Sequence, residues 1–239
     1  MKKKTTFKVI VAIIFIVLGV LFVARFAGPE VLRAYIRSGI GDCEQIPILC
    51  RAPDGNVIRG SINKEYYDQL RPFRFAKMEI FAPKNFNVIQ EKIKRLSYKK
   101  HPRWQKSASI YILHENKDYF INLFPQLRKA GINNDQVYIE RLMNAKLPEV
   151  NNLVDAFFVI MKGIFTPDVG NQKTVLMKRF VIEDKRGFIN YNIGPVNNYF
   201  DCNFFDDNGA YFKVYIKDIG AKLDLEKVLT IVSSVREAD

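Results

Sequence analysis

Histidine and cysteine are scarce in this chain: His101 and His114 are the only histidines, and Cys43, Cys50 and Cys202 the only cysteines, among 239 residues. A histidine-based acid–base or metal site would have to use one of those two side chains, and a chain of this length does not need a disulfide scaffold to bury a core. Also missing are a Gly-x-Ser-x-Gly elbow, a phosphate loop and a dinucleotide fingerprint. These absences point away from a recognisable enzyme, and no catalytic, metal-binding or cofactor-binding residue is assigned. The first 28 residues contain no acid, and that absence coincides with the strongest positive signal.

Lys2, Lys3, Lys4 and Lys8 precede sixteen apolar or glycine residues, Val9 to Ala24. A hydrocarbon core about 30 Å thick needs roughly 20 helical residues, and snorkelling of Lys8 and Arg25 to the interfaces extends the stretch to that length. The competing reading is a cleaved signal peptide, but Arg25 and Phe26 stand where small residues should precede a cleavage site. Residues 1–28 therefore read as a basic tail and a transmembrane signal anchor in an inner or plasma membrane. The lysine-rich end faces the cytoplasm and the bulk of the chain lies outside it.

Of 37 basic residues, five lie in the anchor region, leaving 32 against 25 acids in the rest of the chain. Cys43 and Cys50 enclose Glu-Gln-Ile-Pro-Ile-Leu, and outside the cytoplasm a disulfide between them is the natural reading. The rival is a metal site, but the six-residue spacer exceeds the usual two to four between paired zinc cysteines and no histidine is near. Cys202 reads as a small buried hydrophobe.

Residues 29–72 are rich in Gly, Pro and charge and are expected to form a stalk and a cysteine-containing cap. An α+β domain is expected over 73–239, with a helical insertion at about 117–167. The run Arg71–Pro83 is β-forming. Phe86–Leu96 carries Val88, Ile89, Ile93 and Leu96 at helical offsets and predicts a short amphipathic helix. Ser107–His114 predicts a buried strand. Helices follow within 116–131, divided at Pro125, then over 134–146, and over a long apolar stripe from Val150 to Phe165. Four β-like runs (173–184, 187–193, 198–206 and 210–217), separated by Asp184–Gly187, Gly194-Pro195 and Asp207-Asn208-Gly209, predict an antiparallel meander. Asp224 can cap a closing amphipathic helix.

A strand ending in Ala82-Pro83-Lys84-Asn85-Phe86, an antiparallel meander and a final helix containing Leu229-Thr-Ile-Val-Ser-Ser-Val235 together resemble the PsbP-like α/β/α sandwich over roughly Phe73 to Asp239. The resemblance implies a small adaptor or assembly domain without catalytic machinery. It carries no binding residue onto this chain.

Three clusters are candidates for chemistry. Lys92, Lys94, Arg95, Lys99, Lys100, Arg103 and Lys106, with Trp104, form the densest basic stretch, suited to an anionic surface or to an ordinary solvated face. Nucleic acid is an unsuitable partner outside the cytoplasm despite the favourable charge. His114-Glu115 begins like a metalloprotease signature, but Asp118 stands where the second histidine belongs. Asp201, Asp206 and Asp207 invite a calcium reading, but the sequence does not follow the EF-hand pattern and a hairpin turn explains Asp207-Asn208-Gly209 fully. The expectation is therefore a single-pass, extracytoplasmic binding or assembly module, with an envelope protein or an anionic surface as partner and an unrecognised envelope hydrolase as the alternative.

Overall fold

The computed structural model describes residues 28–75, 77–90, 107–166 and 174–238. No helix among them is long and apolar enough to cross a membrane. The expected span Val9–Ala24 and the basic stretch from Lys92 to Lys106 lie outside the described residues.

The chain is α+β. The four β-like runs become β6 (Leu176–Ile182), β7 (Lys185–Ile193), β8 (Asn197–Phe205) and β9 (Tyr211–Ile219), paired antiparallel in sequence order. The β8–β9 turn follows from Asp206, whose carboxylate accepts the Ala210 amide at 2.9 Å, and from Gly209, whose φ of 82° suits a residue without Cβ. Gly187 is not a turn residue. The turn falls at Glu183–Asp184, and Gly187 lies inside β7, where a Cβ would meet the Asn203 carbonyl oxygen at 2.1 Å.

β5 (Ser109–Glu115) adds antiparallel to β9. The sheet then gains two short edge strands, both parallel to their neighbours: β1 (Val57–Arg59) beside β6 and β4 (Asn87–Gln90) beside β5. The order of the seven is β1-β6-β7-β8-β9-β5-β4. The expected amphipathic helix at Phe86–Leu96 is thus corrected over its described part: Val88 and Ile89 stand opposite Ile110 and Tyr111 in a strand. Pairing to an existing edge decides a short apolar run whose periodicity fits either element.

One face of this sheet is apolar. Phe180, Ile189, Phe200, Cys202, Phe204, Phe212, Val214 and Ile216 point to α6 (Leu225–Ser233) and to a three-stranded sheet of β2 (Arg71–Phe75), β3 (Met78–Ala82) and β10 (Arg236–Glu237). Asp224 caps α6 by accepting the Lys227 amide, as the sequence predicts.

The other face carries α3 (Tyr119–Leu123), α4 (Asp135–Asn144) and α5 (Leu153–Phe165), capped by Asn134 and Asn152 on the last two. Pro125 ends α3 and opens a 3₁₀ turn that closes at Gly131 in left-handed conformation. Phe120 and Tyr138 stack with centroids 4.9 Å apart, and Phe158 joins them against Tyr111, Phe188 and Tyr211 of the sheet.

Residues expected to form a stalk contribute to this body. α1 (Gly28–Gly39) lies on the side of α5 away from the sheet, with Ile36 buried against Ala156, Val159 and Leu49. Gly163 permits that approach: a Cβ there would stand 3.2 Å from Leu49 and 3.3 Å from Ile40. The Arg33 side chain donates to the Val150 carbonyl and to Asn151, fixing the helix laterally.

Candidate functional site

Cys43 and Cys50 form a disulfide, with their Cα atoms 5.6 Å apart. Its loop contains the 3₁₀ turn Pro47–Cys50, which buries Ile48 and Leu49 beneath α1 and α5. Directly after it, the Arg51 carbonyl accepts from Lys162 Nζ at 2.5 Å, and the same ammonium donates to the carbonyls of Met143 and Ala145 at 2.7 and 2.9 Å. Lys162 is fully buried and so caps the carboxyl end of α4 while tying it to the disulfide segment. Burial, and then the nearby Lys146 charge, lower its pKa to about 7; Glu149 and the three carbonyls favour the ammonium and oppose that shift.

A second buried polar group occupies the helical face of the main sheet. Lys213 Nζ lies 3.1 Å from Asp201 Oδ1, with side-chain exposures of 2% and 0%. Asn190 and Asn203 donate to Asp201 Oδ2 at 3.3 and 3.1 Å, Tyr211 donates to Asn203, and Lys213 donates to the Phe165 carbonyl at the end of α5. The pairing follows from register: Asn190 is directly opposite Asp201, and Asn203 directly opposite Lys213. Asn190 Oδ1 has no hydrogen-bond partner among the described residues. Each member is buried, and the Lys213 bond to the Phe165 carbonyl ties α5 to the sheet.

The sequence candidates separate in space. Asp201 belongs to that buried pair, Asp206 closes its turn, and Asp207 meets Arg186 at 3.5 Å. No group of three or more His, Cys, Asp or Glu among the described residues is arranged to hold a metal. His114 lies near the end of β5 against Phe212, with Nε2 3.1 Å from Glu237 Oε1 on β10. Cys202 is free and buried in the apolar face, and burial followed by the Asp201 charge pushes its thiol pKa well up. A thiol so placed is inert.

One open concavity was not anticipated from sequence. The segment 63–70, which includes α2 (Lys64–Tyr67), the loop after β3 and the segment 222–227 enclose a cleft of about 780 Å³. Its apolar lining is Leu70, Phe86 and Leu223, all largely buried. Glu65 and Asp68 stand on the first segment, and Lys84 and Lys222 on the other two. None of these four has an ion-pair partner among the described residues. Lys227, paired with Asp224 at 3.1 Å, stands 5.9 Å over the Tyr66 ring. The Tyr66 hydroxyl has no hydrogen-bond partner among the described residues, and burial followed by Asp218 and Asp224 raises its pKa. A sequence signal existed only in part: Ala82-Pro83-Lys84-Asn85-Phe86 marks one wall, but its partners lie about 20 residues before and 140 after it, on elements the sequence does not connect.

Comparison with protein-family models, with curated proteins and with solved structures gives no match.

Proposed function

We propose that the chain is a single-pass, amino-terminally anchored membrane protein whose α+β body lies outside the cytoplasm and binds an envelope protein through the cleft between 63–70, 83–86 and 222–227. The observation that carries the binding role is the set of charges of both signs around a partly apolar cleft, where Glu65 and Asp68 accompany Lys84 and Lys222 without ion-pair partners among the described residues. Such a surface suits a protein segment that presents both charges, because an exposed charge gains specificity from its complement across an interface. The Cys43–Cys50 disulfide supports the compartment, since disulfides persist outside the reducing cytoplasm.

The hydrolase-type alternative draws on the Asp201–Lys213 pair with Asn190, Asn203 and Tyr211, a set of groups able to move protons. Its burial argues against it, because a substrate must first reach those atoms.

Two measurements test the proposal. A carboxyl-terminal tag should be digested by added protease in intact cells or spheroplasts; protection until lysis would refute the outward orientation. A photo-crosslinking residue at Lys222 should then give discrete protein adducts that are lost in a Glu65→Lys/Asp68→Lys background. Adducts unchanged by that reversal, or lipid adducts alone, would refute the cleft as the protein-binding surface.

A further inference from the structure

We infer that α1 lies flat on the outer membrane–water interface and rests on lipid headgroups through the strip Val31, Ala34, Tyr35 and Ser38. The inference rests on the anchor reading of Val9–Ala24 and adds to it a membrane-contacting surface on the folded body.

The opposite side of α1 is already committed: Ile36 is buried, Leu32 and Ile40 pack beside it, and Arg33 is tied to the Val150 carbonyl, Asn151 and Glu30. At 100° per residue, Val31, Ala34, Tyr35 and Ser38 fall together on the outward side. All four are exposed, Tyr35 to 71%, and none bears a charge, whereas Glu30 and Arg37 fall to one side of the strip. A helix face directed at bulk water ordinarily carries charge on that side. Exposed tyrosine beside valine, flanked by arginine, is the composition of an interfacial surface.

The position of α1 in the chain makes lipid the occupant. Gly28 follows Ala24, the last residue of the apolar run, by four residues, which can span at most roughly 14 Å even fully extended. The headgroup layer on one side of a bilayer is itself several ångströms thick. The start of α1 therefore stays near that layer in any arrangement. Standing upright, its length of about 18 Å would carry Tyr35 and Ser38, about 10 and 15 Å above its start, out into water. Lying flat keeps the whole strip within the interface, and the packing of α5 on the committed side then sets the body directly above the membrane.

The test uses the full-length protein in nanodiscs of phosphatidylcholine and phosphatidylglycerol, with Trp104→Phe as background. One variant adds Tyr35→Trp, at a site exposed enough to accept it; a second adds Phe15→Trp within the apolar run. Fluorescence is quenched with lipids labelled at the headgroup or deep in the acyl chain, and with aqueous acrylamide. The expected result is quenching at position 35 roughly twofold or more stronger by the headgroup label than by the deep label, and the reverse at position 15. Deep quenching at 15 with only acrylamide quenching at 35 overturns the inference and leaves the anchor intact. Protection of position 35 from both lipid labels and acrylamide overturns it in favour of a protein partner. No lipid quenching at either position removes the anchor reading as well.

Discussion

The two faces of the seven-stranded sheet are built from the same strands and handle polarity in opposite ways. On β8, Phe200, Cys202 and Phe204 turn to the α6 side, while Asp201 and Asn203 between them turn to α5. β9 repeats this with Phe212, Val214 and Ile216 against Lys213. The α6 side has Glu79 between Arg74 and Arg236 and, near the end of β9, the buried Asp218, which accepts the Leu223 amide and has no ion-pair partner among the described residues. The helical side places Lys162, Asp201 and Lys213 in its interior. Apolar burial is non-directional and tolerates a conservative loss, whereas a buried ion depends on particular partners at particular distances. The helical face should therefore be the fragile one to single substitutions and the one that can be repaired by paired substitutions.

The largest effect should come from Lys213→Met, which leaves the Asp201 carboxylate buried without its cation and should cost about 3–5 kcal/mol in urea unfolding at neutral pH. Adding Asp201→Leu should recover part of that loss, because the buried charge is removed while the Asn190 and Asn203 amides lose their acceptor. On the other face Ile216→Val should cost only about 1 kcal/mol, with no second site that restores it. If Lys213→Met costs no more than Ile216→Val, the contrast between the faces fails.

Next in size is the disulfide that braces the helical side. A closure of this length stabilises by about 2–3 kcal/mol in the chain-entropy model, so Cys43→Ser/Cys50→Ser should lose that much. Reduction of the unmodified protein should lower the melting temperature to the same degree. The thiol of Cys202 should resist alkylation until unfolding, and native labelling of that residue would contradict its burial.

The antiparallel core of the sheet was legible because β6 to β9 adjoin in sequence and their turns carry Gly, Asn and Asp. So was the capping of α6 by Asp224, whereas the caps of α4 and α5 at Asn134 and Asn152 emerge only from the structure. The parallel edges were not, since β1 meets β6 across more than a hundred residues and the Val88-Ile89 run is too short to reveal its period. α1 was missed because its buried side offers only Leu32, Ile36 and Ile40. The buried pair had a readable trace: Asp201 and Lys213 interrupt strands that are apolar on the alternate positions, the signature of a strand with one face solvated. Here α5 covers that face, and register alone brings the two charges together. The cleft had no trace beyond one of its walls, because it is assembled from three distant segments.

Lys162 gives the helical side a characteristic response to pH. Its folded pKa of about 7 lies below the ordinary lysine value of 10.5, so between those values the unfolded chain holds more protons and stability should rise with pH. Lys162→Met should flatten that rise between pH 7 and 9, read as the difference between the two proteins in urea midpoints. It should also lower stability throughout, because the carbonyls of Arg51, Met143 and Ala145 lose their donor. An equal slope in both proteins would show that Lys162 does not titrate in this range and that its carbonyls hold it charged.

The smallest effect should come from the rim of the opposite face, and its sign differs. Arg74 and then Arg236 hold the Glu79 carboxyl below its usual value through hydrogen bonds from β2 and β10. A lowered folded pKa places this contribution above the unfolded carboxylate range and removes it as pH falls through the folded value. Both arginines are well exposed, so water and salt screen the attraction and the effect stays small. Glu79→Gln should shift the acid unfolding midpoint upward slightly at low salt and by less at 1 M NaCl, with no change in slope between pH 7 and 9. Because β10 is only two residues long and pairs with β3 beside this carboxylate, the protection of the Arg236 and Glu237 amides, relative to their intrinsic exchange rates, should fall first as the pH is lowered. A loss of protection that begins instead around Asp201 would place the acid-sensitive contact in the buried pair and reverse the assignment of pH response to the two faces.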